Sequence, residues 1–268
     1  MSIKTKIAGA RAVMAFDNWP ALLLGRLFYR KTGLVVYCKN HLEILVDHRG
    51  GDETGTRECI VGDMYRKYVP QFKLQEPAHV LDIGANGGGF PLMLILEGVK
   101  LASVVSVEMN PATYSRLLVN LQSNIGPFAV AINAAVCGTS AGPEILLAAS
   151  RGGTGYSMDE NTAAGTAPHI TVKTTTFESL YKEYFAGRRI DVCKIDVEGA
   201  EYDLLDSSHD DLLREIRYLL IEFHDDSKTP AVTRRFARLG FSELTECSSR
   251  RTGPHTEVRC FRGPGVGL

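Results

Sequence analysis

One short stretch constrains this chain more than any other: Val80-Leu81-Asp82-Ile83-Gly84-Ala85-Asn86-Gly87-Gly88-Gly89. An apolar run closes on an acid, glycines follow, and a second apolar run starts at Phe90. That order predicts a buried β-strand, a tight turn and a helix start, the opening unit of an alternating α/β fold. Glycines let the backbone turn sharply and let a ligand approach with no Cβ in the way. The spacing departs from G-x-G-x-x-G, and no G-K-[ST] follows. An ordinary tight turn in an α/β protein is the alternative reading of this stretch. Asp82 sits where a dinucleotide or triphosphate would bring negative charge, and a carboxylate there repels phosphate.

A cationic ligand suits that acid. S-adenosylmethionine has no phosphate and carries a sulfonium and an ammonium. On this reading Asp82 at the strand end suits that ligand.

The chain has 268 residues, room for one large α/β domain or one domain with an appendage. Residues 1–75 read as an N-terminal appendage that makes substrate, lid or oligomer contacts. Residues 76–268 read as the domain opened by the glycine turn. In the appendage, strands are expected over 34–37 and 42–46, and a helix over 56–69 stopped by Pro70. Beyond it, strands are expected over 79–83, 104–108, 128–136, 190–196 and 217–223. Helices are expected over 90–97, 112–122 behind Pro111, 177–185 and 229–239. Segments 144–148 and 170–175 read as additional strands, and 241–247 with 256–261 as a closing antiparallel hairpin. Alternation of this kind predicts a Rossmann-like, mostly parallel sheet with helices on both faces.

Net charge is −1, which gives no overall argument for a nucleic-acid or anionic-membrane partner. Cys38, Cys59, Cys137, Cys193, Cys247 and Cys260 are scattered, with no C-x-x-C and no paired histidines. They fit reduced thiols in a cytoplasmic protein better than a disulfide frame or a zinc site. Near the N-terminus, Asp17 interrupts one apolar run and Arg26 follows another, so neither makes a signal-peptide core or a membrane span. The segment reads as an amphipathic helix packed on the domain or on a second subunit of a homo-oligomer. Contact with a membrane surface is the alternative, and stable insertion is not expected.

Three acids are expected at strand ends, where open α/β sheets bind ligands: Asp82, Glu108 and Asp196. Glu108 falls about 20 residues past the glycine turn, the place of a ribose-binding acid, with Met109 beside it. A helix-capping role before Asn110-Pro111 is its structural alternative. Lys194-Ile195-Asp196-Val197-Glu198-Gly199-Ala200-Glu201 brings three carboxylates close together, and they cannot all ionise side by side without partners. Glu198 and Glu201 also read as a solvated acidic first turn. Leu219-Leu220-Ile221-Glu222-Phe223-His224-Asp225-Asp226 ends an apolar run in a polar cluster. His224, with an ordinary pKa near neutrality, is the candidate general base. Asp196 with Asp225 or Asp226 could hold a divalent cation such as Mg2+ through oxygen ligands. Arg49, Asp52, Arg151 and Tyr156 stand on glycine-rich loops that could line an acceptor pocket.

Taken together, Val80 to Gly89, Val107-Glu108-Met109-Asn110-Pro111, Lys194 to Leu205 and Leu220 to His224 resemble the FkbM family of S-adenosylmethionine-dependent methyltransferases. The resemblance spans roughly residues 60–245. It implies a class I methyltransferase fold, a seven-stranded sheet with one antiparallel strand. It implies methyl transfer to an oxygen, commonly a hydroxyl of a sugar or polyketide. It puts Asp82, Gly84, Asn86 and Gly87 on the methionine-side loop, Glu108 on the ribose, and Asp196, Glu198 and His224 on the reaction side. The expected partner is therefore a small-molecule or glycan acceptor, and no nucleic acid. An N-methyltransferase, a nicotinamide-linked enzyme and a catalytically silent S-adenosylmethionine-binding module are the rival readings.

Overall fold

The structure, a computed structural model, describes residues 12–28, 33–48, 52–74, 77–138, 142–149, 156–157, 169–244, 250–251 and 256–266. Its centre is a sheet ordered β5-β4-β3-β10-β11-β14-β12. The strands are β3 (Ala78–Ile83), β4 (Leu101–Val107), β5 (Ala129–Ile132), β10 (Ile190–Ile195), β11 (Ile216–Phe223), β12 (Ser242–Glu243) and β14 (Glu257–Arg262). The first five run parallel, while β14 is antiparallel to both β11 and β12. A short strand β13 (Arg250–Arg251) also pairs with β14. All six residues of β10 are buried, which matches a central strand covered on both faces.

From β3 the chain winds outward through β4 to β5, then returns to lay β10 on the other side of β3. Strand order thus reverses between β3 and β10, opening a crevice at their carboxyl ends. Register pairs Asp82 with Lys194 across these two strands, an acid beside a base in the middle of the sheet. Helix α3 (Gly89–Leu96) follows the glycine turn and α4 (Pro111–Asn124) follows β4. Asn110 caps α4 by accepting from the N–H groups of Ala112 and Thr113, with Pro111 in the first turn. Helix α8 (Thr229–Leu239) buries Val232, Phe236 and Leu239 and stops at left-handed Gly240.

Three expected elements are divided. The strand expected over 128–136 splits at Asn133, whose side-chain NH2 donates to the carbonyls of Glu108 (2.9 Å) and Met109 (3.0 Å). That clamp turns the chain out of the main sheet, and β6 (Ala135–Val136) pairs instead with β9 (His169–Thr175). Strands β7 (Glu144–Ala149) and β8 (Tyr156–Ser157) complete this second sheet, ordered β6-β9-β7-β8. The helix expected over 56–69 is a helix α2 (Asp52–Val61) and a separate 3₁₀ turn (Arg66–Gln71) that contains Pro70. The break falls at Gly62, where a Cβ would come within 2.4 Å of the Glu58 carbonyl. The segment expected as a single helix over 177–185 is α5 (Phe177–Leu180), continued as a π turn (Tyr181–Phe185).

The N-terminal part begins with α1 (Trp19–Phe28) and a hairpin of β1 (Leu34–Lys39) and β2 (Leu42–Asp47). Tyr37, Leu42, Ile44 and Val46 pack with Val13, Phe16 and Ile60, and with Leu92 of α3. Two asparagines of α4 satisfy the open edge of β2. Asn120 accepts from the Leu45 N–H (2.7 Å) and donates to the Leu45 and Gly87 carbonyls. Asn124 brackets Glu43 in the same way. The hairpin is thereby fastened to the same helix that supports the glycine turn. Short helices α6 (Glu201–Ser207) and α7 (Asp210–Leu213) lie between β10 and β11.

Candidate active site

A cavity of about 460 Å³ opens beyond the carboxyl ends of β3, β4, β10 and β11. Gly84, Ala85, Asn86 and Gly89 form one side, and Gly55, Glu58, Cys59 and Tyr65 of the N-terminal part form another. Gly84 holds φ +75, and a Cβ there would lie 1.7 Å from the Asp196 carbonyl oxygen, so only glycine lets the two strand ends approach. Gly87 and Gly89 also make room for α2. Added Cβ atoms would strike Thr56 Oγ1 and the Cys59 side chain of α2. Gly87 stands in the same turn behind cavity-lining Asn86 and does not itself line the cavity.

Glu108 stands just past β4 and lines the cavity with Met109. Its Oε2 accepts from the Asn86 N–H (2.9 Å) and its Oε1 from the Asn110 N–H (2.8 Å). Burial pushes its carboxyl up, and the two backbone N–H groups pull it back. Each oxygen keeps a lone pair for a further donor.

Asp82 is placed otherwise than expected. It is 0% exposed and is not part of the cavity wall. Its Oδ1 lies 3.4 Å from Lys194 Nζ, so the acid at the strand end balances a buried lysine. Burial pushes the Asp82 carboxyl up, opposed by the Lys194 charge. Burial also weighs against the Lys194 charge, but Asp82 and Asp196 outweigh it and hold its pKa above the ordinary lysine value. Lys194 donates to the Gly84 carbonyl (2.9 Å) and reaches Asp196 Oδ2 at 3.4 Å. It therefore ties the glycine turn to the end of β10.

His224 follows β11. Its Nδ1 lies 3.2 Å from Glu201 Oε1, which also accepts the His224 backbone N–H at 3.0 Å. A carboxylate only accepts, so Nδ1 carries the proton and Nε2 is left toward Glu198, at 3.6 Å. Burial opposes the imidazolium, yet the Glu201 hydrogen bond and charge, with Glu198 and Asp196 beyond, raise the pKa to about 9. Of the two glutamates, Glu201 is fully buried and orients the ring, while the Glu198 side chain is 78% exposed. Glu198 is the solvated member of the pair and sits at φ +51 in the turn before Gly199.

Asp196 accepts from the Tyr65 hydroxyl at 3.2 Å, and the same hydroxyl lies 3.4 Å from Glu222 Oε2. Ligand atoms of Asp196, Glu222 and His224 lie within 4.8 Å of one another. The carboxylates expected to join Asp196 do not. Asp225 Oδ1 accepts from the Ser227 N–H and hydroxyl, which also holds its carboxyl below the ordinary value, and neither Asp225 nor Asp226 lines the cavity. Arg49 and Arg151 fall outside the described residues, as do the side chains of Asp52, which opens α2, and Tyr156, on β8.

Sequence reasoning missed Tyr65, Lys194 and Glu222 as members of this site. A lysine and a glutamate inside otherwise apolar strands were readable signals, since buried charges demand partners. Tyr65 carried none, because nothing local places it beside residues more than a hundred positions away.

A doubly wound sheet with its seventh strand reversed, an acid after the second strand and a cavity at the switch point define a class I methyltransferase. Residues 82–243 match the family model described as the methyltransferase FkbM domain, and the chain belongs to that family. Such enzymes take their methyl group from S-adenosylmethionine. The crystal structure of methyltransferase FkbM from Methylobacillus flagellatus KT superposes with a TM-score of 0.50 at 13% identity. The match covers 75% of this chain and 47% of that one, so this chain spans about half its length. A human methyltransferase 10 domain containing protein is similar at TM-score 0.46 and 12% identity, covering 74% and 80%. A putative tRNA (m1A22) methyltransferase of Streptococcus pneumoniae is similar at 0.44 and 15%, covering 76% and 71%. No curated protein sequence matches.

Proposed function

We propose that this chain is an O-methyltransferase acting on a hydroxyl of a sugar, glycan or related natural product. The observation that carries this reading is the Glu201–His224 pair, Nδ1 to Oε1 at 3.2 Å, at the cavity edge. A hydroxyl is a weak nucleophile until its proton has a destination, and a carboxylate-oriented imidazole supplies one.

The cavity residues fit S-adenosylmethionine. Glu108 would take the ribose hydroxyls on its remaining lone pairs, beside Asn86 and Met109. Asp196 and Glu222 would face the cationic methionine end. When bound, the cofactor supplies an electrophilic methyl on sulfur. Tyr65 and Lys194 hold Asp196 in place, and Glu201 keeps the His224 proton on Nδ1 so that Nε2 receives the acceptor's proton. Phe90, Met64 and Cys59 keep water from that side of the cavity. The N-terminal part, which supplies Gly55, Glu58, Cys59, Met64 and Tyr65 to the wall, serves to enclose the ligands. Cys38, Cys59, Cys137 and Cys193, held as thiols, support a cytoplasmic setting.

Calorimetry tests the cofactor. S-adenosylmethionine and its demethylated product should bind and NAD should not. Glu108→Ala should weaken S-adenosylmethionine by about 1–3 kcal/mol, the usual loss for hydrogen bonds to a charged group. Unchanged affinity in a folded variant would remove the ribose assignment.

Turnover should persist in chelator. A divalent ion on Asp196, Glu222 and His224 would sit beside the Lys194 ammonium, which already lies 3.4 Å from Asp196. Loss of activity in chelator with recovery on adding magnesium would reverse this and make those three residues ligands.

A further inference from the structure

We propose that Tyr202 is a positioning residue that aims His224 at the acceptor hydroxyl, an inference that rests on His224 being the base. Glu201 and Tyr202 open helix α6, and His224 and Asp225 follow the last residue of β11. Glu201 Oε1 accepts the His224 N–H (3.0 Å) and faces the ring Nδ1 (3.2 Å). One residue further along both segments, the Tyr202 hydroxyl accepts the Asp225 N–H (2.9 Å) and donates to the Asp225 carbonyl (2.9 Å). Two neighbouring side chains of one helix thus hold two neighbouring residues beyond one strand.

Those contacts fall on the two peptide units that flank His224. The N–H taken by Glu201 belongs to the unit before it, and the N–H taken by Tyr202 to the unit after it. The imidazole hangs from the backbone by two side-chain torsions, so its aim follows the chain that carries it. The sheet ladders end short of this point. Strand β10 pairs with β11 as far as Ile221, and β14 as far as Phe223. Side chains of α6 take over where the sheet stops holding the chain.

The Asp225 carbonyl has other donors, the N–H groups of Lys228 and Thr229 (3.2 Å each) and the Thr229 hydroxyl (2.8 Å). The distinctive contribution of Tyr202 is therefore the hold on the N–H. Its ring is 6% exposed and packs 6.0 Å from the Phe223 ring, centroid to centroid, which fixes where the hydroxyl stands. A general base must come within hydrogen-bond reach of the proton it takes, and a misplacement of about 1 Å can cost about 100-fold in rate. Tyr202 touches neither the cavity nor the ring, and it acts through the peptide next to His224.

The experiment uses Tyr202→Phe in the full chain, which keeps the packed ring and removes only the hydroxyl. Nuclear magnetic resonance follows the titration of the His224 ring with S-adenosylhomocysteine bound. Methyl transfer from S-adenosylmethionine is read on a panel of methyl glycosides. The His224 midpoint should fall from about 9 toward the ordinary 6.5 as the ring leaves Glu201. The charged groups around the ring, Glu201, Glu198, Asp196 and Glu222, with Lys194 beyond Asp196, are the same in the variant, so the shift reports geometry. The high-pH plateau of kcat/KM should fall roughly tenfold to a hundredfold, with S-adenosylhomocysteine affinity unchanged. Thr229→Val removes one of several donors to the Asp225 carbonyl and should leave midpoint and plateau as they were. An unchanged midpoint in folded Tyr202→Phe overturns the proposal, as does an equal shift in Thr229→Val or lost S-adenosylhomocysteine binding. If Tyr202→Phe does not fold, amide exchange in the unaltered protein decides. The Asp225 N–H should exchange as slowly as those of β11, and fast exchange overturns the clamp. If the unaltered protein methylates none of the glycosides, the sugar O-methyltransferase reading falls, while the His224 titration still decides the role of Tyr202.

Discussion

His224→Ala lowers turnover by about 10²–10⁴-fold, the range for a positioned acid–base group, and barely changes cofactor affinity. Glu201 is buried and takes both the His224 backbone N–H and its ring Nδ1–H, so the imidazole is oriented before any ligand arrives. The pH profile carries the distinctive part. With its pKa raised to about 9, His224 is protonated at neutral pH, and only the neutral ring accepts a proton. The rate, read as kcat/KM, should rise about tenfold per pH unit below that value and level off near it. A plateau already reached at pH 7, or wild-type turnover in the alanine variant, would give the base to another group. Glu201→Gln should move the plateau toward neutrality, because it removes the carboxylate that favours the imidazolium.

Stability should move the opposite way. The folded pKa of His224 lies above the ordinary 6.5, so its contribution is full below that value and is lost as pH rises through about 9. Thermal unfolding from pH 6 to pH 10 should show the decline, and His224→Ala should flatten it.

The second large effect belongs to the buried pair beneath the cavity. Lys194→Met should destabilise the fold by about 3–5 kcal/mol, since it leaves fully buried Asp82 with an uncompensated charge. For a domain of this size that corresponds to a fall in Tm of roughly 6–20 °C. The double variant Lys194→Met/Asp82→Leu should recover most of the loss, because two apolar groups need no partner. Loss below about 1 kcal/mol in the single variant, or no recovery in the double, would show that the pair does not carry the strand junction.

The alternating elements, the glycine turn, the acid after the second strand and the helix start at Pro111 were all legible in the sequence. Each rests on local chemistry: apolar runs that must be buried, glycine at φ above zero, and Asn110 before Pro111. The acidic strand ends were legible as well, but not their assignments. Asp82 and Asp196 read alike as charges at a sheet edge, and only the register of β3 against β10 put Lys194 beside both. Glu198 and Glu201 are three residues apart in one acidic turn. Tertiary packing buried Glu201 against His224 and left Glu198 to solvent. Asn133 looked like one residue of a strand until the carbonyls it holds took the chain out of the sheet. The glycines read as space for a ligand, and two of them are also space for α2, which the sequence places in another part of the molecule. Backbone conformation and burial period are properties of a few consecutive residues, and the chain determined them by itself. Which charge neutralises which, and hence where a proton rests, depends on distances between residues far apart in sequence, and only the folded structure decided those.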